Sequence, residues 1–591
     1  MQRFLNSLRS KLFSPDSRLE LWFRTQYHKI KKTKLYFHIQ DFQARRSYYR
    51  WRKKDQNTLV ENPSFENCPK VTFLISIHGD DLGDVNSTMD SIRKLTGQNW
   101  EIIVINPTEN DCLSEEIGKE DCRIKVVHSD QDNLIPSISG GYLIFCEEGD
   151  LFSESLLSNF YQALFPDANR DVVYYDCEYL DQSLSQYRPF FKPKSLSPEL
   201  LLSVNYLSRG FFRVALVKQI LNELDPKKNL LALEYELACA LSVGSFSITH
   251  IPKVLVSQSK LSTPDTKDTE KVVVQHLARQ DVQNVKVDRK QDLTHFTWHY
   301  GNPSIAIIIP TRNNKEELNQ LLNSIAQGNH SHNYKIIIVD NNSKDEATLA
   351  YYRDLQSAPD ISIVPYTDPF NYSQAINLGV AQSQSDLLLF LNDDMKVIHS
   401  HWLGELAQWA VRPEIGVVGT KLLRENRTIQ HTGIILGLNN FAGHIYLNAP
   451  DHYNGLYGSV DWYRNYLALT GACQMVRREV FEEVGGYDEK YRLAFGDIDF
   501  CLKVHEHGYR NVYTPFASMY HYEGKSRGYS TPTEDILLGY ERLQDYLAEG
   551  DPYFSPNLTY STIPKCKKPG YSEESRLISI QERKKFYETG G

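Results

Sequence analysis

The sequence contains no run of about 18 to 20 consecutive apolar residues, the length a membrane-spanning helix requires. Its N-terminus is broken by Arg and Lys instead of opening into an apolar stretch. The nine cysteines, at 68, 112, 122, 146, 177, 239, 473, 501 and 566, include no CxxC pair and are odd in number. A complete disulfide framework and a structural zinc site are therefore not expected, and a reducing compartment, the cytosol, is. Composition has no skew either: 41% hydrophobic, 24% charged and 12% aromatic residues exclude collagen, coiled coil and wholesale disorder. What stands out is uneven charge. Residues 1–54 hold 15 Lys and Arg against Asp16, Glu20 and Asp41, a local +12, so a chain of net charge -9 carries -21 elsewhere.

Two segments open alike, with a buried strand, a helix and a second strand ending in a polar turn. One reads VTFLISIHGDD (71–81), STMDSIRKL (87–95) and EIIVINP (101–107); the other reads SIAIIIPTRNN (304–314), KEELNQLLNSI (315–325) and KIIIVDNNS (335–343). Pro310 aligns with Ser76 and Asp340 with Asn106 at one offset, 234 positions. Further on, YLIFCEEGD (142–150) matches LLLFLNDDM (387–395) and EYELACAL (234–241) matches DIDFCLKV (497–504), with the offset growing as loop insertions would make it. Runs such as IAIII lack alternation, which suits strands buried on both faces of a mainly parallel sheet. Two tandem α/β domains follow. The expected boundaries are a basic aromatic extension at 1–68, a first domain at 69–260, a linker at 261–303, a second domain at 304–550 and a poorly ordered tail at 551–591.

In open α/β sheets ligands collect beyond the carboxyl ends of the strands. Four places follow apolar runs in the second half: Pro310-Thr311-Arg312-Asn313, Asp340-Asn341-Asn342-Ser343, Asn392-Asp393-Asp394, and Asp497 with Asp499 at a helix entry. Adjacent carboxylates after a buried strand suit a hard divalent cation with positions open to phosphate oxygens; Asn-Asp-Asp equally suits a turn or helix cap. Asp340 reads as a turn residue or a ligand contact.

Taken in order, SIAIIIPTRNN, KIIIVDNNSKD, NYSQAINLG (371–379), LLLFLNDDM, LTGACQMVRREVFEEVGGYDE (469–489), FGDIDFCLKVHEHGYRNVYTP (495–515) and YHYEGKSRG (520–528) resemble a family 2 glycosyltransferase of the GT-A fold, most of all the bacterial enzymes of O-antigen and polysaccharide assembly. The resemblance covers about residues 300–550. It implies two tandem GT-A, Rossmann-like nucleotide-diphospho-sugar transferase domains behind a helical basic extension. It implies Asp340 as reader of the base, Pro310, Thr311, Arg312 and Asn313 as the loop under the nucleotide, and Asn392, Asp393 and Asp394 as the DxD element. Asp394 is the expected ligand of Mn²⁺ or Mg²⁺, with His521 completing the metal site and Lys525 and Arg527 closing over the diphosphate. Asp497 is the expected catalytic base of an inverting transfer, and Thr470, Gly471 and Asp499 are expected on the acceptor side. Asn392 in place of Asp, and Gly496 where relatives carry Glu or Asn, depart from the pattern. The donor is expected to be a nucleotide sugar and the reaction a hexosyl or rhamnosyl transfer, although no residue reads out the sugar. The acceptor is expected to be a glycan, lipid-linked in the assembly systems of the family.

The first copy has Asn106 at the base-reading position, Glu147-Glu148-Gly149-Asp150 at the metal element and Glu234 at the catalytic one, so it reads as degenerate. Alternatives are a bifunctional enzyme with two working sites and a non-catalytic glycan-binding scaffold. The head, rich in aromatics among its cations, suits the anionic inner face of the cell membrane or the acidic body of its own chain. Nucleic acid is not expected, since no binding module accompanies the charge.

Overall fold

A computed structural model describes residues 34–55, 68–77, 83–106, 121–128, 134–165, 169–181, 186–221, 229–290, 293–328, 333–522, 531–568 and 571–589. Among them lie two large mixed sheets, one of nine strands and one of ten.

The sheets share one plan. In the first, the parallel strands Ile124–His128, Trp100–Asn106, Val71–Ser76 and Tyr142–Cys146 lie side by side; Phe211–Arg213, Val172–Asp181, Ile248–Gln258 and Leu151–Phe152 complete the row. In the second, Ile361–Pro365, Tyr334–Asp340, Ile305–Thr311 and Leu387–Leu391 are parallel; Cys473–Arg477, Ile415–Leu423, Arg510–His521 and Met395–Val397 follow in the corresponding places. Register repeats too: Val71 faces Trp100 as Ile305 faces Tyr334, so the 234-residue offset read from sequence is also the structural one. Both strand pairs are apolar because helices cover both faces of the sheet, leaving no wet side to alternate toward.

The cleft-forming geometry arises at Pro310. The ladder between Ile305–Thr311 and Leu387–Leu391 ends at Ile308 and Phe390. Proline's missing N–H therefore breaks no bond on that side, and the two strands part just before Pro310–Asn313 and Asn392–Asp394.

The domains are packed tightly on each other. Arg510 lies 2.9 Å from the buried carboxylate of Glu199, Ser197 Oγ donates to Asn465 Oδ1 at 2.9 Å, and the rings of Phe190 and Trp462 meet at 5.2 Å. The stretch expected as a linker has structure of its own. It contains the helix Lys267–Ala278, with Thr266 as cap, and a hairpin of Lys286–Lys290 and Leu293–Thr297.

At the ends, one expectation is revised and one open choice is narrowed. The tail is not loose. Phe554, Leu558, Ile563 and Cys566 are buried, and the helix Glu573–Glu588 anchors Arg576, whose Nη2 donates to Leu547 O at 2.6 Å. The described part of the head is the helix Lys34–Asp55, and it packs on the body. Tyr48 donates to Glu178, Arg52 Nη1 donates to Val254 O at 2.9 Å, and Asp41 accepts from Tyr453 at 2.7 Å. The helix thus ties both domains together. Its outward side keeps Phe42, Arg46, Tyr49 and Arg50 exposed. No helix among the described residues is long and apolar enough to cross a membrane, and none of the eight described cysteines is in a disulfide.

Candidate functional site

Beyond the carboxyl ends of the second domain's parallel strands lies a cleft of about 1040 Å³. Pro310, Thr311, Arg312, Asn313, Asn392, Asp393, Asp394, Thr470, Gly471, Asp497 and His521 all line it. Eleven residues chosen from the sequence therefore meet in one place, although they are spread over more than 200 positions.

Two strand pairings bring the acids together. Leu387–Leu391 runs antiparallel to Cys473–Arg477, and past its end Asn392 N–H donates to Ala472 O at 3.1 Å. This sets the Asn-Asp-Asp element beside Thr470-Gly471. Met395 then pairs with His521, which carries the histidine back to the carboxylate before it. His521 Nε2 lies 3.2 Å from Asp394 Oδ1, at an angle that makes no hydrogen bond. Asp394 Oδ1 and His521 Nδ1 are both buried without a hydrogen-bond partner. Buried polar atoms are ordinarily satisfied, and a carboxylate oxygen turned to an imidazole nitrogen is a donor set that fits a divalent cation. Among the described residues no third His, Cys, Asp or Glu joins them, so the remaining ligands of such an ion would be phosphate oxygens and water.

Asp393 serves a different purpose. Its Oδ2 accepts from Thr311 Oγ1 at 2.7 Å and from Asn314 Nδ2 at 2.9 Å. Burial pushes its carboxyl up to about 6. It therefore latches the loop after Ile305–Thr311 to the acidic element. Asn313, at φ 47°, fixes the other side of that loop: its N–H donates to Ser343 Oγ at 2.8 Å and its Oδ1 accepts from Lys344 N–H at 2.7 Å.

Asp497 sits in the first turn of the helix Gly496–Glu506, entered through Phe495 in left-handed conformation, φ 66°. Gly471 N–H donates to its Oδ2 at 2.8 Å and Ile498 N–H to its Oδ1 at 2.9 Å. One donor on each oxygen orients the carboxylate and leaves lone pairs for the cleft. The departure at Gly496 has a steric cause: a Cβ there would lie 2.7 Å from Ser373 Oγ, itself bonded to Tyr491 O at 2.8 Å. Gly471 is similarly close, with a Cβ at 3.1 Å from Asp497 Cβ.

Two expected site residues do not reach the cleft. Asp499, expected on the acceptor side, is buried and accepts from Arg542 Nε at 2.7 Å, facing the helix Thr533–Arg542. Asp340 folds into its own turn, accepting from Ser343 N–H at 3.2 Å and Tyr352 OH at 3.1 Å, while its neighbour Asn341 lines the cleft. Lys525 and Arg527 lie outside the described residues. The aromatics Tyr453, Tyr457, Trp462, Tyr463 and Tyr466 are buried in the core.

Sequence reasoning missed Tyr372, whose OH donates to Gly471 O at 2.9 Å, and the cleft residues Gln430 and His444. Tyr372 belongs to the NYSQAINLG motif and was within reach; Gln430 and His444 stand in no motif.

The corresponding place in the first domain is filled from within. Asp150 precedes Leu151–Phe152 as Asp394 precedes Met395–Val397, and Glu234 lies on the counterpart of the Asp497 helix. Between them is Arg209, 1% exposed at φ 61°. Its Nε lies 2.5 Å from Asp150 Oδ2, its Nη1 lies 3.3 Å from Glu234 Oε2, and its N–H donates to Glu234 Oε1 at 2.6 Å. Burial still pushes Glu234 up to about 7. A guanidinium thus occupies the space between the two acids.

Residues 306–485 match the family described as Glycosyl transferase family 2. The chain is 30% identical over 536 residues to an uncharacterized protein of Sinorhizobium fredii, covering 83% of this chain and 58% of that one. It is 29% identical over 543 residues to the O-antigen biosynthesis protein RfbC of Myxococcus xanthus, covering 87% and 42%. It therefore spans about half the length of these curated relatives. A solved structure, the mannosyltransferase PcManGT of Pyrobaculum calidifontis with GDP-Man and Mn²⁺, aligns at a TM-score of 0.30 and 14% identity over 47% of this chain and 77% of its own. The second domain, with its acids gathered beyond the parallel strands, is similar to the glycosyl transferase family 2 domain over residues 306–485.

Proposed function

We propose that the cleft performs an inverting sugar transfer from a nucleotide-sugar donor to a growing glycan of polysaccharide or O-antigen assembly, lipid-linked as in such systems. The observation that supports it is the convergence of Asp394 and His521 on one side and the doubly held Asp497 on the other of a single cleft. In this reading Pro310–Asn313 and Asn341 receive the nucleoside, with Asp340 shaping the turn beside it, and Lys525 and Arg527 meet the diphosphate. Asp394 and His521 would hold Mn²⁺ or Mg²⁺, which neutralises charge on the diphosphate.

The residues then divide the work. Asp497 accepts the proton of the acceptor hydroxyl as that oxygen bonds to the anomeric carbon; the carbon–oxygen bond to the diphosphate breaks on the opposite face. Gly471 N–H keeps the carboxylate aimed, and Tyr372 holds Gly471 in turn. At the corresponding place in the first domain, Arg209 neutralises and fills the space between Asp150 and Glu234. We read it as a structural partner, not a second transferase.

A thermal-shift panel of UDP-, GDP- and dTDP-sugars with Mn²⁺ tests the proposal, since a bound donor raises the melting temperature with concentration over Kd. At least one sugar nucleotide stabilises the parent chain, and Asp394→Ala weakens that shift. A panel with no stabilising member refutes the reading.

The exposed Phe42, Arg46, Tyr49 and Arg50 support peripheral contact with an anionic membrane. Co-sedimentation with phosphatidylserine vesicles is expected to fall in Phe42→Glu/Tyr49→Glu; unchanged binding would dismiss it.

A further inference from the structure

The cleft has a second wall, built by the segments Ile429–His431, Ile434–Leu436 and Ala442–His444. Gln430, Ile434, Ala442 and His444 face into the cleft from it. Ile429–His431 pairs with Ile415–Leu423, which in sheet order stands beyond Cys473–Arg477, away from the strands that carry the Pro310–Asn313 and Asn341 end. The wall also adjoins the base. Ile434 N–H donates to Ala468 O at 3.2 Å, two residues before Thr470, and the ring of Phe441 meets that of Phe495, two residues before Asp497, at 4.5 Å.

Gln430 is 4% exposed, and its Oε1 has no hydrogen-bond partner. A buried acceptor left without a donor is unfavourable, and here that acceptor belongs to a residue on a cleft wall. His444 stands next to it, its Nδ1 3.1 Å from Gln430 O and 3.1 Å from His431 Nδ1, which fixes the ring. The C-terminal segment braces the wall from behind: Asp551 accepts from Leu436 N–H at 2.9 Å, Tyr560 O from Asn439 N–H at 2.9 Å, and Thr562 O from Tyr446 N–H at 2.8 Å. A fixed surface beside the base, bearing an unused acceptor oxygen, suits a pyranose ring whose hydroxyls are donors.

We propose that this wall is the subsite for the acceptor sugar, with Gln430 Oε1 accepting a hydrogen bond from a ring hydroxyl and the fixed edge of His444 setting the orientation of the ring. The inference rests on the reading of the cleft as a transfer site. It assigns the acceptor end of that site to residues that no motif covers.

Saturation-transfer NMR on the full chain, with Mg²⁺ and UDP, GDP or dTDP present in turn, tests it using methyl α-L-rhamnopyranoside, methyl α-D-mannopyranoside and the methyl β-glycoside of N-acetylglucosamine as probes. At least one glycoside is expected to receive saturation from the parent. Gln430→Leu weakens its affinity about tenfold, the loss expected for one hydrogen bond, and Gln430→Glu, which keeps an oxygen at that position, restores it. The sugar-nucleotide thermal shift stays at the parental value in both variants. A parent that engages none of the glycosides, or Gln430→Leu binding as the parent does, overturns the proposal. Failure of the transfer reading itself shows separately, as a parent that no sugar nucleotide stabilises.

Discussion

Replacing Arg209 by Met tests whether the first domain is closed by an internal ion cluster. The guanidinium is 1% exposed, and both partner carboxylates, Asp150 and Glu234, are 0% exposed. Removing the cation leaves two buried acids facing each other. Breaking a buried pair from one side costs about 3 to 5 kcal/mol. For a domain of this size each kcal/mol moves the midpoint by about 2 to 4 °C, so the first domain's calorimetric transition should fall by roughly 6 to 20 °C. The drop should be smaller at pH 5 than at pH 8, because burial pushes Glu234 up to about 7 and its protonation leaves one uncompensated charge fewer. Adding Asp150→Asn and Glu234→Gln should recover most of the loss, since a neutral replacement of the whole cluster has nothing left uncompensated. Below the transition, sugar transfer should proceed at the parental rate. A midpoint within 2 °C of the parent would refute the ion-cluster argument, and loss of transfer in a fully folded Arg209→Met chain would show that the first domain takes part in the chemistry.

Other consequences concern the second domain. Gly496→Ala places a Cβ 2.7 Å from Ser373 Oγ; overpacking of this kind costs about 1 to 3 kcal/mol, and since the strain falls beside Asp497, kcat should drop with donor affinity retained. Asp551 is buried, and burial pushes its carboxyl up to about 7 from an ordinary 3.8. Its folded form holds the proton more tightly than its unfolded form, so this contribution to stability is complete below about pH 4 and is lost as pH rises through 7. Asp551→Asn should flatten the decline of melting temperature between pH 4 and 7, and an unchanged slope would contradict the assignment.

Much of this molecule was legible in sequence because its signals were local. The runs VTFLIS and IAIIIPT are apolar without alternation, and each became a strand covered on both faces. The 234-residue offset survived as register because insertions fall in loops, not between paired strands. Asp394, Asp497 and His521 could be placed because each ends or begins an element in a recognisable motif. What escaped depends on direction and on long-range partners. Asp499 stands two residues from Asp497 on the same helix, yet the turn of the helix sends it to Arg542. Arg209 could not be picked out as the plug, since its meaning comes from two acids 59 and 25 positions away. The tail looked loose because it is polar and rich in Lys, but Phe554, Leu558 and Ile563 supply enough apolar surface to dock it. The basic head read as a membrane anchor or a brace, and the described helix proved to be a brace with an exposed aromatic and basic face.

In the proposed transfer Asp497 takes the acceptor proton, in a cleft whose donor end works independently of it. Turnover of a stabilising sugar nucleotide by Asp497→Asn, measured beside its binding of that same nucleotide, tests this most directly. Removing a general base costs about 10² to 10⁴ in rate. A loss of that size is expected with donor affinity within twofold of the parent, and Asp497→Asn turning over at the parental rate would rule out Asp497 as the base.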